Sequence, residues 1–192
     1  GLPDSDAGSA IAAASKPTLD RLFAGYPNIR LRAHGTAVGM PSDDDMGNSE
    51  VGHNAIGAGQ VYSQGAALVA GAIADGSIWQ GEAWRQIVAG ARAGRGTIHF
   101  IGLFSDGNVH SHIDHLRAMV VQARAEGIRA VRIHALLDGR DVPETSALEY
   151  VTPFEAFLGE ISSDGFDARI ASGGGRQNIT MDRYDANWAM VE

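Results

Sequence analysis

The alternation of apolar and polar positions is most regular in the second part of the chain. Two runs of mostly apolar residues, Thr97–Phe104 and Ala130–Leu137, have the length and composition of buried strands. A third strand is predicted over 168–172. Apolar residues fall on one helical face over Ile113–Ala125, and a further helix is predicted over Ala147–Ile161. Strands that alternate with helices in this way predict an α/β fold with a parallel sheet.

The first part of the chain has a weaker pattern. A helix is predicted over Pro17–Gly25, because proline suits the first helical position. The alternation over 29–33 predicts a short strand. Residues 34–59 are rich in Gly, Asp and Ser and have few apolar positions, so we expect a long loop with at most a short helix after Ser49. Loops of this length in compact chains are usually functional or disordered.

A change of pattern divides the chain near residue 65. Ala-rich helices are predicted over 66–74 and over Glu82–Ala93, just before the strand–helix alternation. A final helix is predicted from about Asp185 to the last residue. We therefore expect two units, residues 1–65 and residues 66–192, the second of which stops within a helix.

The composition excludes several classes of protein. The chain has no cysteine, which excludes disulfide frameworks, thiol nucleophiles and Cys-ligated zinc. A net charge of −8 argues against a nucleic-acid or anionic-membrane surface. No apolar run approaches the ~20 residues of a membrane span, and no signal peptide is apparent. These observations favour a cytoplasmic protein that binds neither nucleic acid nor membrane.

Candidate chemistry lies where the predicted strands end. All but one of the 15 lysine and arginine residues are arginine, whose planar fork suits phosphate and carboxylate. The carboxyl ends of parallel strands meet at one edge, where ligands bind. The polar loops at this edge contain His110, His112, Arg140, Asp141, Arg176 and Arg183. This set predicts a site for a small anion, unless each arginine caps its own loop through a carboxylate such as Asp138 or Asp182.

The histidines and one serine allow further hypotheses. His110, His112 and His115 could bind a metal, although positions two apart on a helix face different directions. Contact of His110 with substrate and local capping are the alternatives. Ser49 precedes the possible short helix, whose positive end would favour a nucleophilic serine. A plain turn is the alternative for Ser49.

Four motifs resemble the cofactor-independent phosphoglycerate mutase family, and they occur in the family's order. They are DMGNSEVGH at residues 45–53, SDGNVHSHIDHL at 105–116, LDGRD at 137–141 and GGGRQNITMDRYDANW at 173–188. The similarity extends over about residues 8–192, and the last motif is closer to the plant and trypanosomatid branch than to the common bacterial one.

The resemblance implies an alkaline-phosphatase-like domain, in part within residues 1–65, followed by part of an inserted α/β phosphotransferase domain in residues 66–192. The implied reaction interconverts 3-phosphoglycerate and 2-phosphoglycerate without bisphosphoglycerate, in glycolysis and gluconeogenesis. Ser49 would carry the phosphoryl group and ligate one of two divalent ions, manganese before magnesium or cobalt. The substrate would be held by His110, Arg140, Asp141, Arg176 and Arg183, and Asp141 would shuttle protons with its hydroxyl groups.

Departures from the family pattern limit what this chain would do alone. The family's first strand, which carries a metal-binding Asp, would lie upstream of Gly1. Ser9 stands where many members of the family have Asn, and the other metal ligands would follow Glu192. We expect the isolated chain to be inactive and the enzyme to be a monomer. A metal-dependent phosphatase or phosphopentomutase of the same superfamily and a non-catalytic anion-binding module are the alternatives.

Overall fold

The computed structural model describes residues 7–176, which form a parallel sheet with helices and a smaller helical segment before it. The helices are α1 Ala10–Ala13, α2 Pro17–Gly25, α3 Ser49–Ala58, α4 Gly65–Ala74, α5 Glu82–Ala93, α6 Ile113–Ala125 and α7 Ala147–Ile161. The strands are β1 Thr97–Phe104, β2 Ala130–Leu137 and β3 Asp167–Gly175. Short 3₁₀ turns cover Gly35–Val38 and Ser77–Gln80.

The sheet confirms the predicted α/β class. Its order is β1-β2-β3, and both neighbouring pairs are parallel. Phe104 pairs with Leu137, which in turn pairs with Gly175. The three strands therefore end level with one another, and the loops that follow them start from the same edge. The predicted final helix from Asp185 lies outside the described residues.

One face of the sheet builds the main core. Val131, Ile133 and Ala135 of β2 are at most 2% exposed, because alternate side chains of a strand point to the same face. They pack in one cluster with side chains of α5, α6 and α7, among them Val120 and Phe154, both fully buried. The amphipathic pattern of α6 predicted this contact, since its apolar stripe faces the sheet.

The opposite face of the sheet is more polar. The ring of His99 stacks on that of His134, with their nitrogens Nδ1 and Nε2 2.9 Å apart. Nδ1 of His134 lies 2.7 Å from the hydroxyl of Ser172. Ile101 on the same face is 74% exposed. Within residues 7–176 the helices thus cover only one side of this sheet.

The expectations for the first segment need two corrections. Residues 29–33 form no strand, and Ile29 and Leu31 are 83% and 78% exposed. A strand requires a neighbour for its backbone hydrogen bonds, and the described residues provide none here. Residues 34–59 are more ordered than expected, because they contain the 3₁₀ turn and the full length of α3.

A small second core explains the order in this segment. Val38, Met40 and Val51 are 5–8% exposed and pack together, with Ala55 and Ala66 against them. Its apolar residues are few and far apart in sequence, so the periodicity of apolar positions does not reveal that they pack together.

The third strand is longer than predicted, covering Asp167–Gly175 instead of 168–172. Its glycine-rich end lacks the side chains that mark a strand in sequence, yet its backbone pairs with β2 beyond an irregularity opposite Ile133 and His134. No helix within residues 7–176 is long and apolar enough to cross a membrane.

We expect Phe154→Ala to destabilise the chain by about 3–5 kcal/mol, because it removes a fully buried ring. The ring meets that of Phe104 edge to face with centroids 4.9 Å apart. Leu148→Ala on the same helix is the control, since Leu148 is 73% exposed and should cost less than about 0.5 kcal/mol. Urea unfolding followed by circular dichroism measures both, and equal costs would contradict this account of the core.

Candidate active site at the carboxyl edge of the sheet

A buried carboxylate organises the loop after β2. Oδ1 of Asp138 accepts the backbone N–H groups of Arg140 and Asp141, each at 3.0 Å. The same oxygen accepts a hydrogen bond at 2.8 Å from Nη1 of Arg176, which directly follows β3. One carboxylate oxygen therefore joins the loops at the ends of two strands.

Arg176 binds two carboxylates at once. Its Nη1 lies 2.8 Å from Asp138 and 2.8 Å from Oδ2 of Asp141, and its side chain is only 8% exposed. Burial acts to lower the pKa of Arg176, but the hydrogen bonds and charges of Asp141 and Asp138 outweigh it and raise that pKa. We call Asp138, Asp141 and Arg176 the Asp138 cluster. Arg176 therefore lies at the predicted edge, and it also binds a local carboxylate there, as the capping alternative expects.

The Asp138 carboxylate stays ionised despite its burial. Burial acts to raise its pKa, but the backbone N–H groups of Asp141 and Arg140 and the groups of Ser105 and Arg176 together lower the pKa below its usual value. Ser105 is 1% exposed, and its hydroxyl accepts the N–H of Gly107 at 3.0 Å. The loop after β1 is therefore tied to the same carboxylate.

The candidate substrate residues His110 and Asp141 lie together. Nε2 of His110 is 3.8 Å from Oδ2 of Asp141, and the His110 side chain is 56% exposed. Arg140 lies between Asp138 and Asp141 in the same loop, where its backbone is held by Asp138. The edge therefore gathers His110, Arg140, Asp141 and Arg176, while Arg183 lies outside the described residues.

His112 caps a helix. It is the residue before α6, and its Nδ1 accepts the N–H of Asp114 at 3.2 Å. His115 lies beside it with ring centroids 5.4 Å apart. Burial and the neighbouring His112 lower the pKa of His115. The local geometry of His112 agrees with the capping hypothesis, and residues 7–176 contain no group of three or more His, Asp or Glu arranged to hold a metal ion.

Ser49 is the first residue of α3. Asn48 caps this helix, since its Oδ1 accepts the N–H of Val51 at 3.0 Å. The Ser49 hydroxyl is exposed and lies 3.2 Å from Nδ1 of His53. That nitrogen is also 2.6 Å from the Ser49 carbonyl oxygen, which only accepts hydrogen bonds, so Nδ1 carries a proton. His53 Nδ1 is therefore not a base for Ser49 in this arrangement.

A cleft of about 630 Å³ separates the first segment from the sheet edge. One wall is the loop over residues 41–46, which leads to Ser49, and the other includes residues 106–108, His112 and Asp141. Ser49 is not among the lining residues. The structure therefore brings the substrate candidates together and sets the serine helix on the opposite side of a cleft.

Sequence analysis missed two residues at this cleft. Nδ2 of Asn108 donates a hydrogen bond to Oδ1 of Asp45 at 2.7 Å, across 63 residues of sequence. Asn108 has φ +53°, the only positive value outside glycine among the described residues. The Gly107-Asn108 pair was a possible signal, since Asn tolerates this conformation better than other side chains.

The fold is that of an α/β domain in which charged side chains meet at the ends of the parallel strands. Comparison with known proteins identifies its family. The family model described as "BPG-independent PGAM N-terminus" matches residues 69–192, and the chain belongs to this family. The resemblance to cofactor-independent phosphoglycerate mutases is thereby confirmed.

Individual relatives carry the name of the same enzyme family. A protein of Leptospira interrogans named "probable 2,3-bisphosphoglycerate-independent phosphoglycerate mutase" is 56% identical over 97% of this chain and 34% of its own length. The 2,3-bisphosphoglycerate-independent phosphoglycerate mutase of Trypanosoma brucei brucei is 47% identical over the whole chain and 35% of its own length. The maize enzyme of that name is 46% identical over the whole chain. This chain spans about a third of the length of these relatives.

A solved structure shows the same fold. The Leishmania mexicana phosphoglycerate mutase, crystallised at low cobalt concentration, is 49% identical and has a TM-score of 0.81. The match covers 95% of this chain and 33% of that one. The α/β arrangement described above is therefore that of a known phosphoglycerate mutase.

We expect Asp138→Asn to cost about 1–3 kcal/mol of stability at neutral pH, since it weakens a buried ion pair whose carboxylate is fully buried. The folded state lowers the pKa of Asp138, so this contribution is present above the unfolded value near about 4 and is lost as the pH falls below it.

The free energy of unfolding, measured from pH 7 down to pH 3, tests this expectation. The difference between Asp138→Asn and the unsubstituted chain should shrink below about pH 4. Asp164→Asn, at an exposed position, is the matched control and should show little difference at any pH. A cost for Asp138→Asn that does not depend on pH would be inconsistent with a charged Asp138.

Proposed function

We propose that this chain is part of an enzyme that interconverts 3-phosphoglycerate and 2-phosphoglycerate without bisphosphoglycerate, in glycolysis and gluconeogenesis. The observation that supports it most is the edge with His110, Arg140, Asp141 and Arg176, in a chain of the phosphoglycerate mutase family. Such residues suit a substrate that bears both a phosphate and a carboxylate. The names of the relatives do not favour a phosphatase or phosphopentomutase.

Ser49 is the proposed nucleophile. Its oxygen forms a bond to phosphorus while the bond from phosphorus to the glycerate oxygen breaks, and that oxygen keeps the electron pair. The serine proton leaves, and a proton is delivered to the glycerate oxygen. The oxygen of the other glycerate hydroxyl then loses its proton and forms a bond to phosphorus, while the bond from phosphorus to the Ser49 oxygen breaks and that oxygen regains a proton. The phosphoryl group thus returns to the oxygen on a different carbon. The N-terminal end of α3 favours the developing negative charge.

The sheet edge holds the glycerate between the two transfers. Together with His110 and Asp141, Arg140, Arg176 and, outside the described residues, Arg183 are proposed to hold the phosphate, hydroxyl and carboxylate groups of the substrate, and the hydroxyl and carboxylate groups of glycerate after the first transfer. Asp141 is proposed to accept a proton from one hydroxyl and return it to the other. The contact of its Oδ2 with Arg176 supports this role, because the pairing orients the carboxylate. Catalysis of this kind depends mainly on positioning and on charge neutralisation.

The proposed enzyme requires two divalent metal ions, and manganese is preferred over magnesium or cobalt. The exposed Ser49 hydroxyl fits the role of one ligand. Residues 7–176 do not contain a full ligand set, so the other ligands are assigned to regions of the longer enzyme. When bound, such ions supply positive charge to the serine oxygen and the phosphoryl group.

The proposed domain division places part of an alkaline-phosphatase-like domain in residues 1–65 and part of a phosphotransferase domain in residues 66–192. The separate small core around Met40 and a family match that begins at residue 69 support a boundary near residue 65. Exposed apolar side chains such as Ile29 and Leu31 support further packing partners in the longer enzyme. A monomeric, cytoplasmic enzyme completes the proposal and rests on sequence alone.

We expect Ser49→Ala in the full-length enzyme to lower mutase activity by at least about 10³-fold, because no nucleophile remains for the first transfer. Mass spectrometry after incubation with 3-phosphoglycerate should find one phosphoryl group on Ser49 of the unsubstituted enzyme. Ser63→Ala changes another exposed serine and is the control, with full activity and an intact adduct. Activity that survives Ser49→Ala would exclude this mechanism.

We also expect a chelator to abolish the activity of the full-length enzyme, because the proposed reaction requires divalent ions at Ser49. Added Mn²⁺ or Co²⁺ should restore it, whereas added bisphosphoglycerate should change nothing. A coupled assay with enolase, corrected for the metal need of the coupling enzyme, measures this. Full activity after metal removal would contradict the proposed requirement for divalent ions. The proposed role of Ser49 as nucleophile is tested separately by Ser49→Ala.

A further inference from the structure

The loop before Ser49 is held rigidly from within. We call residues 41–48 the Ser49 loop. Oδ2 of Asp45 accepts both the N–H and the hydroxyl of Ser42, each at 2.8 Å, and the Asp45 carbonyl accepts the N–H of Gly35 at 3.0 Å. Gly35 has φ +64°, and a Cβ there would lie 2.7 Å from the Asp43 carboxylate, so the contact needs glycine. Asp45 is therefore fixed in orientation.

This rigidity extends to Ser49. Gly47 has φ +72°, and Asn48 caps α3 through Val51, which is buried against Val38 and Met40. The five residues from Asp45 to Ser49 thus end at the start of a helix that is anchored in the small core. A displacement of Asp45 should therefore also displace Ser49.

The other side of the cleft is rigid as well. Asn108 follows Gly107, whose N–H is bound by Ser105 and where a Cβ would lie 3.1 Å from the carbonyl oxygen of Asp141. Asn108 itself adopts φ +53°, a conformation that costs energy for a residue with a side chain. His110 is two residues further on. Asn108 is therefore fixed to the part of the edge that carries His110 and Asp141.

We propose that Asp45 and Asn108 are positioning residues, whose hydrogen bond across the cleft sets the distance between Ser49 and the substrate held at the sheet edge. The bond joins the two walls directly, 2.7 Å from Nδ2 to Oδ1. Its acceptor is a carboxylate, which makes it stronger than a bond between neutral groups. Burial acts to raise the pKa of Asp45, but the hydrogen bonds of Asn108 and Ser42 outweigh it and lower that pKa, which is consistent with a charged acceptor.

This role rests on the proposed function, because positioning has a meaning only if Ser49 receives the phosphoryl group. Neither residue is assigned a contact with substrate. Loss of the bond should therefore reduce kcat more than it changes KM. A misplacement of about 1 Å reduces rates by up to about 10²-fold.

An exchange of the two side chains tests the role in the full-length enzyme. Asn108→Asp alone places two carboxylates against each other and should lower kcat by about ten- to a hundredfold, with KM changed less than about threefold. In the double variant Asp45→Asn/Asn108→Asp, the amide at position 45 can donate to the new carboxylate and still accept from Ser42. The double variant should recover kcat to within about threefold of the unsubstituted enzyme.

Asn108→Gly is the second variant, because glycine adopts the positive φ without strain and removes only the amide. It should also lower kcat, with a slower appearance of phosphoserine at Ser49 in a rapid-quench experiment. A double variant no better than Asn108→Asp, or an unchanged kcat in Asn108→Gly, would overturn the inference. Failure of the proposed function is distinct, since it would show as an unsubstituted enzyme without phosphoserine.

Discussion

The buried ion pair between Asp138 and Arg176 is the interaction on which the candidate site depends. One oxygen of a fully buried carboxylate accepts three hydrogen bonds, two from its own loop and one from the residue after β3. Two charges taken out of water are stable only with such a set of partners. The pair therefore stabilises the edge only when all three hydrogen bonds are present. It also fixes the position of Asp141, the proposed proton-transfer group.

The parallel register makes that pair possible. Phe104, Leu137 and Gly175 stand at the same level of the sheet, so Ser105, Asp138 and Arg176 follow them at one edge. The glycines at the end of β3 let its backbone pair with β2 up to this level. The site is thus built from the first residues beyond each strand, which the core holds in place.

The cleft divides the proposed chemistry between two walls. The sheet edge carries the groups that are proposed to hold glycerate, and α3 carries the serine that is proposed to take its phosphoryl group. Transfer between hydroxyl groups of a bound intermediate requires that glycerate stays held while the serine stays near. The hydrogen bond between Asp45 and Asn108 joins the two walls, and in the proposed mechanism it keeps the serine near the held glycerate.

Sequence alone determined the α/β class, the bounds of most elements near the sheet, and the family, because periodicity and dense local motifs reside in short stretches of chain. It also determined that His110, Arg140, Asp141 and Arg176 share an edge, since parallel strands end together. Tertiary structure decided which carboxylates Arg176 binds, that residues 29–33 form no strand, and that Asp45 meets Asn108. Those outcomes depend on burial and on contacts between distant residues, for which neighbours along the chain provide no signal.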